Sequence, residues 1–221
     1  MSSDLTYGSL LASAAIAYLL GAIPIAYIAG RLYGVNIFTV GTHQAGATNV
    51  WRNVSHKAGF TVFFVDSTKG LIGVLAGRWL GLEGAWLLLP SSAIILGHWN
   101  SPFTRFRGGD GVSSLTGIGL GLMPLLLLPS YILIAFITLG FNSRLNHPTL
   151  WGAASGYVLF LLISFSPYFK SDPALVLGMT SLGVAILLHS LAYHRRHIED
   201  GGYMETISAE VGVDEHRIRP S

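Results

Sequence analysis

Residues 8 to 30 read "GSLLASAAIAYLLGAIPIAYIAG", a long apolar run without one charged side chain. A helix that crosses a membrane needs about 20 mostly apolar residues, because the hydrocarbon core is about 30 Å thick. The run is therefore long enough to span a bilayer. We expect it to stay in the mature protein, since Asp4 precedes it instead of a basic segment and it exceeds the apolar part of a typical signal peptide.

The rest of the chain has the same character. Hydrophobic residues make up 51% of the 221 residues, only 11% are Asp, Glu, Lys or Arg, and the mean hydropathy is +0.56. An ordinary soluble domain has about 25% charged residues. Further apolar runs lie near residues 58–79, 85–98, 123–141, 151–166 and 174–192. The run at 112–122 is too short to cross alone, and Pro124 follows it, so it predicts a short or broken helix packed against protein.

These runs predict an all-α integral membrane protein with about seven transmembrane helices. Residues 1–200 form one polytopic membrane domain in this interpretation, and residues 201–221 form a polar cytoplasmic tail. With seven crossings most basic residues fall in loops on one face, and the loops of the other face hold only Arg78 and Lys170. Because basic residues are enriched in cytoplasmic loops, this distribution predicts an N-terminus outside and a C-terminus in the cytoplasm.

Several classes of function are excluded by composition. The chain has no cysteine, which excludes disulfides, thiolate nucleophiles and cysteine-based zinc sites. The net charge of +2 is too small and too dispersed to favour a nucleic-acid partner. The chain contains no GxxxxGK[ST], GxSxG or HExxH motif, and its membrane part has no close acidic pair for two metal ions. We therefore expect neither a metal nor a cofactor.

The segment at residues 40–52, "VGTHQAGATNVWR", is polar and rich in glycine. Its glycines allow close backbone approach and positive φ, so that successive N–H groups can converge on an anion. Arginine adds a fork of donors that suits phosphate oxygens. The candidate donors are Thr42, Thr48, Asn49 and Arg52. The alternative is a re-entrant turn whose polar groups satisfy one another.

A second glycine-rich segment, "FTRFRGGDGVSS" at residues 103–114, leads into the short apolar run. Glycines that precede a helix leave free N–H groups at the positive end of its dipole, where a phosphate binds well. The candidate residues here are Arg107, Gly108, Gly109 and Gly111. Asp110 competes with an anion at this place, and it either caps the helix or pairs with Arg105 or Arg107.

Ionisable residues also occur within or beside the apolar runs. Asp66 and Lys69 share a helical face, and buried charges of this kind usually have a partner or a task. They form either an internal ion pair or a source of charge for a polar site. His98 is more typical of an interfacial anchor than of a catalyst. The segment from His194 to His197 suits anionic lipid headgroups, unless the fold brings it beside the two glycine-rich segments.

Five segments in order resemble the motifs of a known family. They read "LLGAIPIAY", "GTHQAGATNVWR", "DSTKG", "GHWNSPFTRFRGGDGVSS" and "HRRHIEDGG". Their order and spacing are similar to those of the bacterial acyl-phosphate-dependent glycerol-3-phosphate acyltransferases of the PlsY type, over roughly residues 17 to 200. The resemblance implies a multi-pass protein of the bacterial cell membrane, with seven spans and a cytoplasmic active face.

The resemblance also implies an activity and its partners. A fatty acyl group would pass from acyl phosphate to the sn-1 hydroxyl of glycerol 3-phosphate, giving lysophosphatidic acid without acyl-CoA, a cofactor or an obligate protein partner. Arg52 and His194 would be catalytic, and Asp66, Lys69 and His98 would support the site. The implied phosphate-binding residues are Thr42, Thr48, Asn49, Arg52, Arg107, Gly108, Gly109, Gly111, Thr149 and His197.

The chain departs from the family pattern at several positions. Thr42, His43 and Gln44 stand where the family has Ser, Gly and Asn, and His197 replaces an asparagine. Arg107 and Asp110 replace two lysines, so that Asp110 reverses a charge. These differences leave two alternatives open: a diverged paralogue with another acyl acceptor or donor, and a non-catalytic lipid-binding or transport protein on the same scaffold.

Overall fold

The computed structural model describes the backbone of residues 6–141 and 148–211 and the side chains of residues 6–141 and 151–193. Every regular element in this part of the chain is helical, which confirms the predicted all-α class. The helices are α1 (Tyr7–Ala22), α2 (Ile25–Leu32), α3 (Ala47–Asn53), α4 (His56–Trp79), α5 (Leu88–Trp99), α6 (Val112–Leu122), α7 (Pro124–Gly140), α8 (Pro148–Ser164) and α9 (Pro173–Val211).

Apart from α3, each helix lies at one of the predicted apolar runs, and α9 continues past its run to Val211. Three stretches are long and apolar enough to cross a membrane, namely Tyr7–Leu32, His56–Trp79 and Pro173–Tyr193. Helices α6, α7 and the Trp151–Ser164 part of α8 are shorter apolar helices. The 11 residues of α6 span only about 16 Å, which agrees with the prediction of a short helix. The number of crossings and their orientation stay predictions.

The first apolar run is broken inside its length. A capping box formed by Thr6 and Ser9 starts α1, and α1 ends where Ile23 turns to extended backbone before Pro24. A proline disfavours the helical conformation in the residue before it and cannot donate a backbone hydrogen bond. Pro24 therefore separates α1 from α2 and leaves the last carbonyl groups of α1 in need of donors.

Helix α4 lies in the middle of the bundle and packs against α1, α5 and α6. Small residues permit close approach of helices in a membrane protein. A Cβ added at Gly70 or Gly117 would overlap the backbone across the α4–α6 contact, and one at Gly97 would overlap α1. A separate cluster of buried side chains, which includes Ile37 and Val50, lies under the segment between α2 and α4.

Candidate active site

The segment of residues 37–46, which we call the first glycine loop, is organised around Asn49. The Asn49 amide nitrogen donates to the carbonyl oxygens of Ile37 at 3.0 Å, Val40 at 3.0 Å and Gln44 at 2.9 Å. Its amide oxygen accepts from Asn53 at 2.8 Å. Asn49 is 1% exposed. The structure thus places this predicted phosphate ligand inside the loop, where its amide holds the backbone.

The first glycine loop turns sharply at Gly41 and His43, which both have a φ of 56°. A Cβ at Gly41 would overlap the amides of Asn49 and Asn53, so only glycine fits there. Left-handed backbone is unfavourable for a residue with a side chain, and at His43 hydrogen bonds from neighbouring groups offset this strain. The tight turn leaves the side chains of Thr48 and Arg52 exposed on α3.

The second glycine loop, residues 104–111, contacts the first directly. The Ala45 N–H donates to the Gly108 carbonyl at 3.1 Å, and the Gly109 N–H donates to the His98 carbonyl at 3.3 Å. Gly109 is buried between Ala45 and His98. The structure therefore brings together two segments that lie about 60 residues apart in the chain, as an anion site shared by both would require.

Replacement of Gly109 by alanine is expected to separate the two loops. The added Cβ would lie 2.6 Å from His98 Nε2 and would overlap the Ala45 carbonyl, so the backbone has to move. We expect any turnover that depends on an anion held between the loops to fall at least about tenfold, since misplacement of a reacting group by about 1 Å has large effects on rate. Gly183→Ala is the matched control, because its Cβ meets nothing within 4 Å. Similar turnover by both variants would contradict the assignment.

Asp110 caps the start of α6. Its Oδ1 accepts from the Val112 N–H at 3.0 Å, and its carbonyl accepts from Trp99 Nε1 at 2.7 Å. Gly111 follows with a φ of 93° and allows the chain to enter the helix. Among the described side chains Asp110 forms no ion pair with Arg105 or Arg107. Of the two roles that the sequence left open for Asp110, the structure shows the cap.

Arg107 joins the two loops at the surface. Its guanidinium lies 4.3 Å from the centre of the Phe38 ring and donates to the Phe38 carbonyl at 3.4 Å. The same guanidinium interacts with the hydroxyl of Tyr193 on α9. Tyr193 in turn donates to the His43 carbonyl at 2.6 Å. The sequence did not single out Tyr193, although its position just before the "HRRH" segment was a usable signal.

The contact of Tyr193 brings α9 to the first glycine loop. The "HRRH" segment starts at the next residue, so the fold brings its beginning to the loops. The side chains of His194, His197 and Thr149 lie outside the described residues, and their roles stay predictions.

A small pocket lies beside the contact between the loops. Its cavity volume is about 10 Å³, room for about one water molecule, and it is partly open to solvent. The break between α1 and α2 supplies residues 21–25 of its wall, and His98, Ala45 and residues 107–109 supply most of the rest. His98 is 7% exposed and faces this space. In the sequence, only the proline of "GAIPIAY" indicated that this part of the first apolar run could line a pocket.

Asp66 and Lys69 form a buried ion pair at the same break. Lys69 Nζ lies 2.7 Å from Asp66 Oδ1. It also donates to the carbonyls of Ile23 at 2.8 Å and Gly21 at 3.3 Å. The three donors of the ammonium group are thereby used, and two of them bind carbonyl groups at the break, where the Ile23 carbonyl also accepts from the Ile25 N–H at 3.1 Å. Lys69 thus holds the pocket wall through Asp66 and these two carbonyls.

Comparisons with known proteins agree on one family. The sequence profile of the family described as "Glycerol-3-phosphate acyltransferase" matches residues 11–200. A glycerol-3-phosphate acyltransferase of Geobacter metallireducens is 43% identical over 51% of this chain and 58% of its own length. One of a Hydrogenobaculum species is 34% identical over 77% of this chain and 84% of its own length. The matched segment thus spans less than two thirds of some curated relatives and most of others.

Solved structures agree with the sequence matches. The crystal structure of PlsY (YgiH), an integral membrane glycerol 3-phosphate acyltransferase, in its glycerol 3-phosphate form is 27% identical with a TM-score of 0.68, covering 94% of this chain and 100% of that one. The lysophosphatidic acid form of PlsY is 29% identical with a TM-score of 0.65, covering 87% of this chain and 91% of that one.

Proposed function

Because the chain belongs to the glycerol-3-phosphate acyltransferase family, we propose that it transfers a fatty acyl group from acyl phosphate to the sn-1 hydroxyl of glycerol 3-phosphate. The product is lysophosphatidic acid. The observation that carries the proposal is the direct contact of the two glycine loops, at the Ala45–Gly108 hydrogen bond. This contact brings the second glycine loop, which carries Arg107, against the first, which leads into α3 and Arg52, and both substrates carry a phosphate.

The proposed site divides its work between binding and support. Thr42, Thr48 and Arg52 hold phosphate oxygens, together with Arg107 and the backbone N–H groups of residues 108, 110 and 111, while the Gly109 N–H is engaged with the His98 carbonyl. Arginine suits this task, since its planar fork binds two phosphate oxygens at once. Asn49 serves as a positioning residue, because its amide is engaged with the carbonyls of the first glycine loop. His194, His197 and Thr149 complete the site by their places in the family motifs.

The reaction needs positioning more than acid catalysis. The sn-1 oxygen attacks the acyl carbonyl carbon, an ester bond forms, and the bond from that carbon to the phosphate oxygen breaks. Phosphate leaves with the electron pair, and the hydroxyl proton ends on the released phosphate. Phosphate is a good leaving group, so fixed donors that neutralise its charge and hold the acceptor in place supply most of the acceleration.

The acyl chain is proposed to lie in lipid beside α4. The first turns of α4 follow α3 directly and expose Phe60 and Phe64, which are 62% and 63% exposed. Exposed apolar side chains of this kind are stable in contact with the acyl chains of a bilayer. In this proposal the protein lies in the bacterial cell membrane with its glycine loops on the cytoplasmic side, where both phosphorylated substrates arrive.

The proposal is tested with the purified full chain in detergent. Acyl phosphate and labelled glycerol 3-phosphate are expected to give labelled lysophosphatidic acid, and acyl-CoA in place of acyl phosphate is expected to give none. Absence of product under conditions in which an established family member turns over would overturn the proposal.

Asp110 supports a second candidate, a paralogue that acylates a neutral acceptor. Its Oδ2 points to the region of Gly46, 4.0 Å from the position of a Cβ there, so the carboxylate lies between the loops. A like charge about 4 Å from a phosphate raises its energy by about 4 kcal/mol at an effective dielectric constant near 20, and exposure to water reduces this.

Asp110→Asn tests whether the Asp110 carboxylate faces the phosphate of the acceptor. Asparagine keeps the cap of α6 but removes the charge. For a glycerol 3-phosphate acyltransferase we expect the KM for glycerol 3-phosphate to fall about tenfold, because a repulsion within a few ångströms is lost. Steady-state kinetics on both proteins measure this change. An unchanged or higher KM would mean that the carboxylate does not face the acceptor phosphate.

A further inference from the structure

We propose that Tyr193 of α9 is a positioning residue that fixes the two glycine loops relative to each other and thereby sets the affinity for glycerol 3-phosphate. The kinetic part of this inference rests on the proposed function. Tyr193 lies 150 residues from His43 in the sequence, and its hydroxyl donates to the His43 carbonyl at 2.6 Å. This bond connects the end of the last apolar span to the turn of the first glycine loop.

The Tyr193 hydroxyl has a second partner in Arg107. A tyrosine hydroxyl donates one hydrogen bond and accepts others, so it serves His43 and Arg107 at once. Arg107 belongs to the second glycine loop and also contacts the ring and carbonyl of Phe38. The Tyr193 hydroxyl therefore binds the first loop at His43 and lies near enough to the second to interact with Arg107.

The turn at His43 requires this support. Its φ of 56° is left-handed, which costs about 1 to 2 kcal/mol for a residue with a side chain. Such a conformation persists where the surroundings hold it. The His43 ring nitrogen Nδ1 contacts the Phe38 carbonyl at 3.2 Å, and Tyr193 holds the His43 carbonyl. Loss of the tyrosine hydroxyl removes the contact to the backbone and lets the turn with Thr42 relax.

The same face of α9 also supports the second glycine loop. His189 lies one helical turn before Tyr193, and its ring stacks on Trp99 at 4.3 Å with an interplanar angle of 6°. Trp99 donates to the Asp110 carbonyl at 2.7 Å. Residues four apart lie on one helical face. This face of α9 thus meets the first loop through Tyr193, and through His189 it packs on Trp99 of α5, which binds the second loop at Asp110.

Tyr193→Phe tests the inference because it removes one hydroxyl and keeps the ring. We expect the KM for glycerol 3-phosphate to rise about five- to tenfold with kcat within about twofold, as the loss of one hydrogen bond that acts on substrate binding predicts. The matched control is Tyr157→Phe. Tyr157 lies on α8, and its hydroxyl donates to Thr180 of α9 at 3.2 Å, away from both glycine loops. Tyr157→Phe is expected to keep the wild-type KM and kcat, and to have the same melting temperature as Tyr193→Phe.

A second measurement does not depend on turnover. Hydrogen–deuterium exchange of residues 41–45 and 107–109 is expected to become faster in Tyr193→Phe and to stay unchanged in Tyr157→Phe. An unchanged KM in Tyr193→Phe overturns the inference. If the melting temperature falls while KM and kcat stay unchanged, Tyr193 has a purely structural role, and the inference fails as well. If the wild-type chain forms no product, the proposed function fails, and the exchange rates alone decide whether Tyr193 fixes the loops.

Discussion

Lys69→Met is expected to lower the free energy of unfolding by about 3 to 5 kcal/mol, because it leaves the Asp66 carboxylate buried without its partner. Both side chains are inside the bundle, at 1% and 5% exposure. The substitution also removes the donors to the Gly21 and Ile23 carbonyls at the break between α1 and α2. Denaturant titration in mixed micelles measures the loss. Thr68→Val on the same helix is the control, since Thr68 bonds only within α4.

The double variant Asp66→Leu, Lys69→Met separates the charge from the carbonyl contacts. No buried charge remains, so the double variant is expected to be more stable than Lys69→Met alone. The Gly21 carbonyl still loses the Lys69 donor, which costs about 1 to 3 kcal/mol for a buried group, whereas the Ile23 carbonyl keeps the Ile25 N–H at 3.1 Å. Asp66→Leu alone completes the comparison. If the loss of stability in the double variant equals the sum of the losses in Asp66→Leu and Lys69→Met, the two side chains are not coupled.

Arg52→Ala is expected to lower kcat/KM for acyl transfer by about 100-fold or more. Charge-assisted hydrogen bonds contribute about 1.5 to 3 kcal/mol each, and a bidentate arginine makes two of them with a phosphate. The side chain is exposed on α3, so the fold and its melting temperature are expected to stay unchanged.

Two further variants make the Arg52 result specific. Arg31→Ala removes an exposed arginine from the end of α2 and is expected to change kcat/KM by less than about twofold, as for a surface charge outside the site. Arg52→Lys keeps the charge without the planar fork and is expected to lie between the wild type and Arg52→Ala. Turnover by Arg52→Ala within a few-fold of the wild type would remove Arg52 from the site.

The sequence predicts most of the helical architecture, for a physical reason. Apolar length is a local property, so the run at residues 8–30 predicts a span and the run at 112–122 predicts a short helix without knowledge of any contact. Helices at both runs are present in the structure. The break at Pro24 was not predicted, because the apolar run at residues 8–30 indicates a single span, although the cause of the break is equally local: the missing N–H and the restricted residue before proline.

The arrangement of the site is less accessible to sequence. An asparagine in a glycine-rich segment serves a ligand or the backbone equally well, and only the folded loop directs the Asn49 amide to the carbonyls. The Ala45–Gly108 and Tyr193–His43 contacts join residues far apart in the chain, through the packing of helices that no local pattern encodes. Composition and motif order nevertheless located both loops. Clusters of glycine are not needed for membrane insertion, so their presence in an apolar chain indicated another role.

The most direct test of an anion-holding acyltransferase site is a competition between acceptors. The purified chain receives acyl phosphate with equal concentrations of glycerol 3-phosphate and glycerol, and mass spectrometry identifies the acylated products. A site built from two glycine loops with Arg52 and Arg107 predicts lysophosphatidic acid as the dominant product. Monoacylglycerol as the dominant product would contradict it.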